Sequence, residues 1–375
     1  HRRVSFCTFL MLLMRRFAFL TSSVYFKYIP IYSQYHYSSQ FPINMNPKKV
    51  AQLPVHNKST LPPQEIIDLF KITFLEELYP KDQDNEKSPL TEQIQAVKSD
   101  LYNRDYNAAF NNDSKRIAYC CRWSPSRATS YASVFAHFPE LLKIIRCEID
   151  DKDSNVLCIG GGAGGELVAL ASIFTLSRDF SSKFASALKI DNEVNKKPRN
   201  LNIQLVDIAD WSTVVEKLTA TIKSKWLYGD SEAESFNVNF THKDCLQMTE
   251  PQDIKIYQGL DLITLLFTTN ELFTQKKVES IKFLQRLNEN CAPGCHLLIL
   301  ESAGSYSHIT INNKKFPIQF LIDTILVGNR KDKGTTGPWS LVSENDSIWY
   351  RMDPKLDYSI PLENMRFFYR LYVKN

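Results

Sequence analysis

The chain has 375 residues, 43% of them hydrophobic and 23% charged, with a formal net charge of +4. These fractions exclude wholesale disorder and allow one large domain with an appendage, or two domains. The charge supplies no argument for nucleic-acid binding, because residues 1–64 carry eight Lys or Arg and no acid, which leaves the remainder at −4.

Residues 1–62 read as a basic tail. Val4 to Met14 is apolar but lies between Arg2-Arg3 and Arg15-Arg16, too short to span a bilayer. The tail is expected to be disordered, or translated upstream of a start at Met45, with a mitochondrial presequence over residues 1–44 as the alternative. The eight cysteines are scattered without a CxxC pair, the usage of a reducing compartment. Cys291-x3-Cys295-His296 lacks a second ligand pair, so no metal is expected.

From Glu65 to Leu78, Ile66, Leu69, Phe70 and Phe74 share one face of a predicted helix. After a polar linker over 80–88, Ile94, Val97, Leu101 and Tyr102 predict a second helix from about Thr91 to Phe110. Pro125, within Arg122-Trp123-Ser124-Pro125-Ser126-Arg127, predicts a break before a third helix over Thr129 to Ile145. Residues 63–147 thus form a small helical unit ahead of a larger domain over 148–375.

That domain reads as α/β. Predicted strands at Val156–Ile159, Leu201–Asp207, Phe236–Phe240, Leu260–Phe267 and His296–Glu301 alternate with helices, which implies a parallel sheet covered on both faces. Asp210 is expected to cap a helix starting at Trp211, and Thr274 one that ends at Pro293-Gly294. A polar insertion over 177–200 and loops at 312–315 and 330–334 interrupt the pattern. Ser347–Met352 and Met365–Val373 predict a terminal antiparallel pair.

Five of the twelve glycines, Gly160, Gly161, Gly162, Gly164 and Gly165, fall within six positions directly after the first strand. A strand, a glycine loop and then a helix is the first β-α turn of a nucleotide-type site, where glycine permits close backbone approach. Glu166-Leu167 stands where a Walker loop needs Lys and Ser or Thr, which excludes that reading. A dinucleotide site remains open, although its ribose-binding acid normally lies about 20 residues on. Here the candidate Asp207 comes 42 residues after Gly165.

Val156-Leu157-Cys158-Ile159-Gly160-Gly161-Gly162-Ala163-Gly164-Gly165 resembles the first motif of class I S-adenosylmethionine (SAM) methyltransferases. Ala292-Pro293-Gly294-Cys295-His296-Leu297-Leu298-Ile299 resembles that superfamily's turn into its fifth strand. The resemblance implies a seven-stranded Rossmann-like sheet with a terminal antiparallel pair, and SAM as cofactor. The glycines would admit its methionyl arm, Asp207 would accept from the ribose hydroxyls, and Asp244 from the adenine amino group. Beyond the fourth strand, Asn270 would hydrogen-bond an acceptor amide or imide and Glu271 would serve as base.

A closer resemblance, over roughly residues 63–375, is to the fungal 25S ribosomal RNA uridine-N3 methyltransferases. It is carried by Tyr102-Asn103-Arg104-Asp105-Tyr106, by Tyr119 through Ala128, by Phe267-Thr268-Thr269-Asn270-Glu271-Leu272-Phe273, by Gly337-Pro338-Trp339 and by Ser347-Ile348-Trp349-Tyr350-Arg351. It implies a uridine of ribosomal RNA, or of a pre-ribosomal large subunit, as acceptor for a monomeric enzyme of the nucleus, nucleolus or cytoplasm. A mitochondrial site would follow only from a genuine presequence. Unpaired bases are held by aromatic and guanidinium stacking, which makes Arg122, Trp123, Arg127, Trp349 and Arg351 candidate substrate contacts. Two alternatives stay open: a nicotinamide-dependent oxidoreductase, and a non-catalytic assembly factor with this fold.

Overall fold

A computed structural model describes residues 50–81, 89–150, 152–178, 199–228, 230–304, 308–311, 314–328 and 337–375. Outside the described residues lie 1–49, with most of the tail and its targeting alternatives, and most of the linker at 80–88. The greater part of the insertion at 177–200 and the loop at 330–334 lie outside them too. Residues 50–62, read as the end of a disordered tail, pack on the fold instead, with Leu53 buried and its amide donating to the Trp349 carbonyl at 2.8 Å.

The helical unit is more finely divided than its periodicity suggests. The first predicted helix is α1 (Pro63–Thr73) and α2 (Leu75–Leu78), separated at Phe74. The second is α3 (Pro89–Tyr102) and α4 (Tyr106–Ala109), interrupted where Arg104 takes a positive φ of 58°. Asp105 caps α4 by accepting from the Ala108 amide at 2.9 Å.

The expected break at Arg122–Arg127 is absent. Instead α5 (Asp113–His137) runs for 25 residues straight through Pro125, and α6 (Pro139–Ile145) follows. An interior proline removes the amide that would bond to the carbonyl four residues back, here that of Cys121. The Tyr358 hydroxyl takes its place, donating to the Cys121 carbonyl at 2.7 Å.

The α/β part begins with β1 (Ser154–Ile159), α7 (Gly165–Leu176), β2 (Leu201–Asp207), α8 (Ser212–Thr221) and β3 (Phe236–His242). It continues with β4 (Leu262–Leu266), α9 (Thr269–Gln275), α10 (Lys277–Asn290) and β5 (His296–Ser302). A separate hairpin, β6 (His308–Ile311) and β7 (Lys314–Pro317), precedes α11 (Ile318–Leu326), and β8 (Trp339–Tyr350) and β9 (Met365–Lys374) close the fold. The seven-stranded sheet has the order β3-β2-β1-β4-β5-β9-β8. Its first five strands are parallel, β9 is antiparallel to β5, and β8 is antiparallel to β9.

Several boundaries differ from expectation. Thr274 lies inside α9 and caps nothing; the break before α10 falls at Lys276. The helix after β2 starts at Ser212 rather than Trp211, and Asp210 reaches its first turn by accepting from the Ser212 amide (3.2 Å) and hydroxyl (2.7 Å). Lys314-Lys315, expected in a loop, belongs to β7, and β8 begins eight residues before Ser347, at Trp339.

Side-chain alternation divides the core into two layers. Val156 and Cys158 of β1, Leu298 and Leu300 of β5, and Phe367 and Leu371 of β9 face one cluster, into which the helical unit also packs through Phe70, Tyr131 and Phe135. Leu157 and Ile159, Leu297 and Ile299, and Phe368 and Tyr372 face the other, covered by Phe283 and Leu284 of α10 and Ile322 and Ile325 of α11. Residues 63–147 therefore share a core with the sheet. Helix α7 is mostly apolar and buried on all sides over Gly165–Thr175, where it packs against α5.

The contact that bridges Pro125 is open to measurement. Tyr358→Phe leaves the Cys121 carbonyl buried without a donor and is expected to cost about 1–3 kcal/mol. Urea denaturation should show a lowered midpoint at unchanged slope. An unchanged midpoint would mean that this hydroxyl does not sustain the helix.

Candidate active site

In an open parallel sheet the crevice lies beyond the carboxyl ends of the strands, where the strand order reverses. Here that point falls between β1 and β4, and a cavity of about 350 Å³ opens there. Ile159 and Gly160 of the first strand and its turn, Val206 and Asp207 of the second, Asp244 to Leu246 after the third, Leu266 to Thr268 and Asn270 to Leu272 after the fourth, and Glu301 of the fifth all line it. From the opposite side Leu101, Tyr106, Phe110, Tyr119 and Arg127 of the helical unit complete the wall.

The glycine loop is built by packing as much as by access. Gly160 and Gly164 hold φ of +75° and +83°, which L side chains rarely adopt. A Cβ on Gly160 would collide with Thr268, and one on Gly162 with the ring of Trp211. Gly161 packs against Cys158 and Leu205, so of the loop glycines only Gly160 lines the cavity. The loop is fastened by the Gly160 amide donating to the Val206 carbonyl (2.8 Å) and the Gly162 amide to Asp207 Oδ2 (3.0 Å).

Asp207 thus has a structural duty, and its Oδ1 also accepts from the Ala209 amide at 3.1 Å. Burial pushes its carboxyl up, against the pull of these backbone donors. The Trp211 indole and the Ile208 amide add to that pull. Asp244 is held in a similar way, with Oδ1 accepting from the Leu246 amide (2.9 Å) and Oδ2 from Lys276 Nζ (2.8 Å).

Beyond β4 the chain turns through Phe267, whose φ of +59° is unusual for a bulky residue. Thr268 Oγ1 donates to the Ile159 carbonyl at 3.2 Å. Glu301, buried at the end of β5, accepts from Thr269 Oγ1 (3.0 Å), the Asn270 amide (2.9 Å) and the Ser302 amide (2.8 Å). This fixes the first turn of α9 and sets Asn270 and Glu271 on the cavity wall. Burial, with the neighbouring carboxylates of Asp207 and Glu301, pushes Glu271 up to about 7.

Of the candidate contacts on α5, Arg127 lines the cavity, its Nη1 donating to the Tyr119 hydroxyl at 2.5 Å and its guanidinium lying over the Tyr119 and Phe267 rings. Trp123 lines an adjoining cavity. Arg122 is buried in an ion pair with Glu363 and donates to the Pro361 carbonyl at 3.1 Å. Trp349 and Arg351 lie against each other at the far end of β8 and line neither cavity. Glu301, Tyr106, Tyr119 and Lys276 were not singled out by sequence. Only Tyr106 and Tyr119 carried a signal, as members of motifs already noted.

The profile of a family described as "Putative SAM-dependent methyltransferase" matches residues 70–373. The chain belongs to this family. Among solved structures it is similar to magnesium protoporphyrin IX methyltransferase from Synechocystis, at 12% identity over 78% of this chain and 100% of that one, with a TM-score of 0.36. It is similar also to an O-methyltransferase family protein from Burkholderia thailandensis, at 14% identity over 80% of this chain and 76% of that one, with a TM-score of 0.36.

A SAM-dependent methyltransferase does not favour the nicotinamide alternative. Its cofactor fits the residues present, since the Asp207 carboxylate on the cavity wall suits a pair of ribose hydroxyls. Among the described residues there is no group of three His, Cys, Asp or Glu side chains placed to hold a metal ion. None of the described helices is long and apolar enough to cross a membrane. Asp207→Ala is expected to weaken S-adenosylhomocysteine binding roughly 10- to 150-fold, the equivalent of one charge-assisted hydrogen bond. Calorimetry that returned the wild-type affinity would remove Asp207 from the cofactor site.

Proposed function

We propose that this SAM-dependent methyltransferase methylates N3 of a uridine in large-subunit ribosomal RNA. The observation that carries the reading is Glu271, a cavity-lining carboxyl held up to about 7, next to an Asn270 whose side-chain amide makes no hydrogen bond among the described residues. A uridine presents at one edge an imide N–H between two carbonyls. Asn270 can donate to one of those carbonyls, and Glu271 can accept the imide proton.

When bound, SAM supplies an electrophilic methyl carbon on a sulfonium centre. The protein's task is to orient the acceptor nitrogen in line with that carbon and to remove its proton. Glu271 would accept the N3 proton as the S–CH3 bond gave way to the N–CH3 bond, so that the carboxylate and sulfonium charges would be lost together and the net charge of the cleft would not change. A base near 7 suits this task, since about half of it is ionised at neutral pH and it returns the proton readily to water. Support for ribosomal RNA as the acceptor comes from the resembling motifs, three of which, Tyr102–Tyr106, Tyr119–Ala128 and Phe267–Phe273, meet at this cavity.

The test is methyl transfer to large-subunit ribosomal RNA followed by mass spectrometry of the nucleosides, with 3-methyluridine the expected product. Transfer should rise about tenfold per pH unit below 7 and level off above it, because only ionised Glu271 accepts the proton. Glu271→Gln should lower transfer roughly 10²- to 10⁴-fold and flatten that rise, at unchanged cofactor affinity. Asn270→Ala should slow transfer with the same cofactor affinity. A different methylated nucleoside, or none, would contradict the acceptor assignment.

A further inference from the structure

We propose that the cavity adjoining the cleft receives the nucleotide next to the target uridine, and that Arg366, Trp349 and Arg351 carry the single strand outward from it. This rests on the uridine reading above. The second cavity measures about 220 Å³ and is lined on one side by Trp123, Ser126 and Arg127 of α5 and on the other by Glu363 to Arg366, with Phe267 between. That volume is below the roughly 300–1,000 Å³ of drug-sized ligand pockets, so it suits one planar group and not a second cofactor. Arg127 and Phe267 line both cavities and form the partition between them. Phe267 is held there in its left-handed conformation by Tyr131, stacked at 6.3 Å, and by the edge of Phe367 at 6.2 Å.

The walls are joined by long-range contacts. Ser126 Oγ accepts from the Glu363 amide at 3.0 Å, and Arg122 pairs with the Glu363 carboxylate. The carboxylate at the rim is therefore already neutralised. The arginines beyond it are not. Among the described residues Arg116, Arg122 and Arg370 each pair with acids, whereas Arg127, Arg351 and Arg366 have no carboxylate partner. Arg366 spends only Nε, on Ser347 Oγ at 2.9 Å. Its guanidinium lies 5.9 Å from the centre of the Trp349 ring, and that of Arg351 lies 4.4 Å from the same ring. Two unneutralised guanidinium groups about one indole, leading from an aromatic slot, match alternating phosphates and bases.

The test uses the full chain with S-adenosylhomocysteine and fluorescent oligouridylates of one, three and six nucleotides, followed by anisotropy at several salt concentrations. Affinity should rise from one to three nucleotides. Arg351→Gln and Arg366→Gln should each reduce the slope of log K against log salt by about 0.7, the loss of one single-strand phosphate contact. Trp123→Ala should weaken trinucleotide binding roughly tenfold and Trp123→Phe less, with cofactor affinity showing that each variant is folded. Wild-type salt slopes in both Gln variants, or equal competition by hexaglutamate and hexauridylate, would overturn the subsite. If oligouridylates bind as described but no 3-methyluridine forms on ribosomal RNA, the uridine reading fails and the strand-binding path stands.

Discussion

The carboxylate of Glu301, buried at the end of β5, accepts from the Thr269 hydroxyl and from the amides of Asn270 and Ser302. Those bonds satisfy donors at the start of α9 that would otherwise be buried without partners, and a negative charge there is favoured by the helix dipole. The direction in which Asn270 and Glu271 leave the chain follows from them. So does the chemistry of Glu271, because Glu301 adds its charge to that of Asp207 around a carboxyl already out of water. One side chain positions the acceptor residues and helps to set their proton affinity.

The rest of the cleft is assembled by similar exchanges between distant segments. Thr268 reaches back to the carbonyl of Ile159, the Gly162 amide is held by Asp207, and Trp211 occupies the space that a Cβ at Gly162 would need. Helix α5 serves both halves of the molecule. It packs on α7 behind the glycine loop, and it carries Tyr119, Trp123 and Arg127 to the cavities. Its passage through Pro125 leaves the Cys121 carbonyl to a hydroxyl 237 residues further along the chain, at Tyr358.

What sequence could and could not disclose follows from the range of the forces involved. The five parallel strands and the glycine loop were legible because alternation and backbone conformation are local properties. Pro125 read as a break because the donor that replaces its missing amide is remote. The polar run Ser343–Asp346 concealed most of β8, since an edge strand open to solvent need not be apolar. Asp207 and Glu271 were identifiable from their places after strands, but Glu301 was not, for it is one acid at a strand end whose partners lie about thirty residues earlier. Arg122 and Arg127 are alike in sequence, yet one is neutralised by Glu363 and the other is not.

The most direct measurement is an NMR titration of Glu271 in protein carrying ¹³C-labelled glutamate, its signal assigned by loss in Glu271→Gln. A midpoint near 7 would show that burial and the carboxylates of Asp207 and Glu301 hold this group at the proton affinity that N3 methylation requires. A midpoint in the ordinary glutamate range, about 4.3, would contradict it.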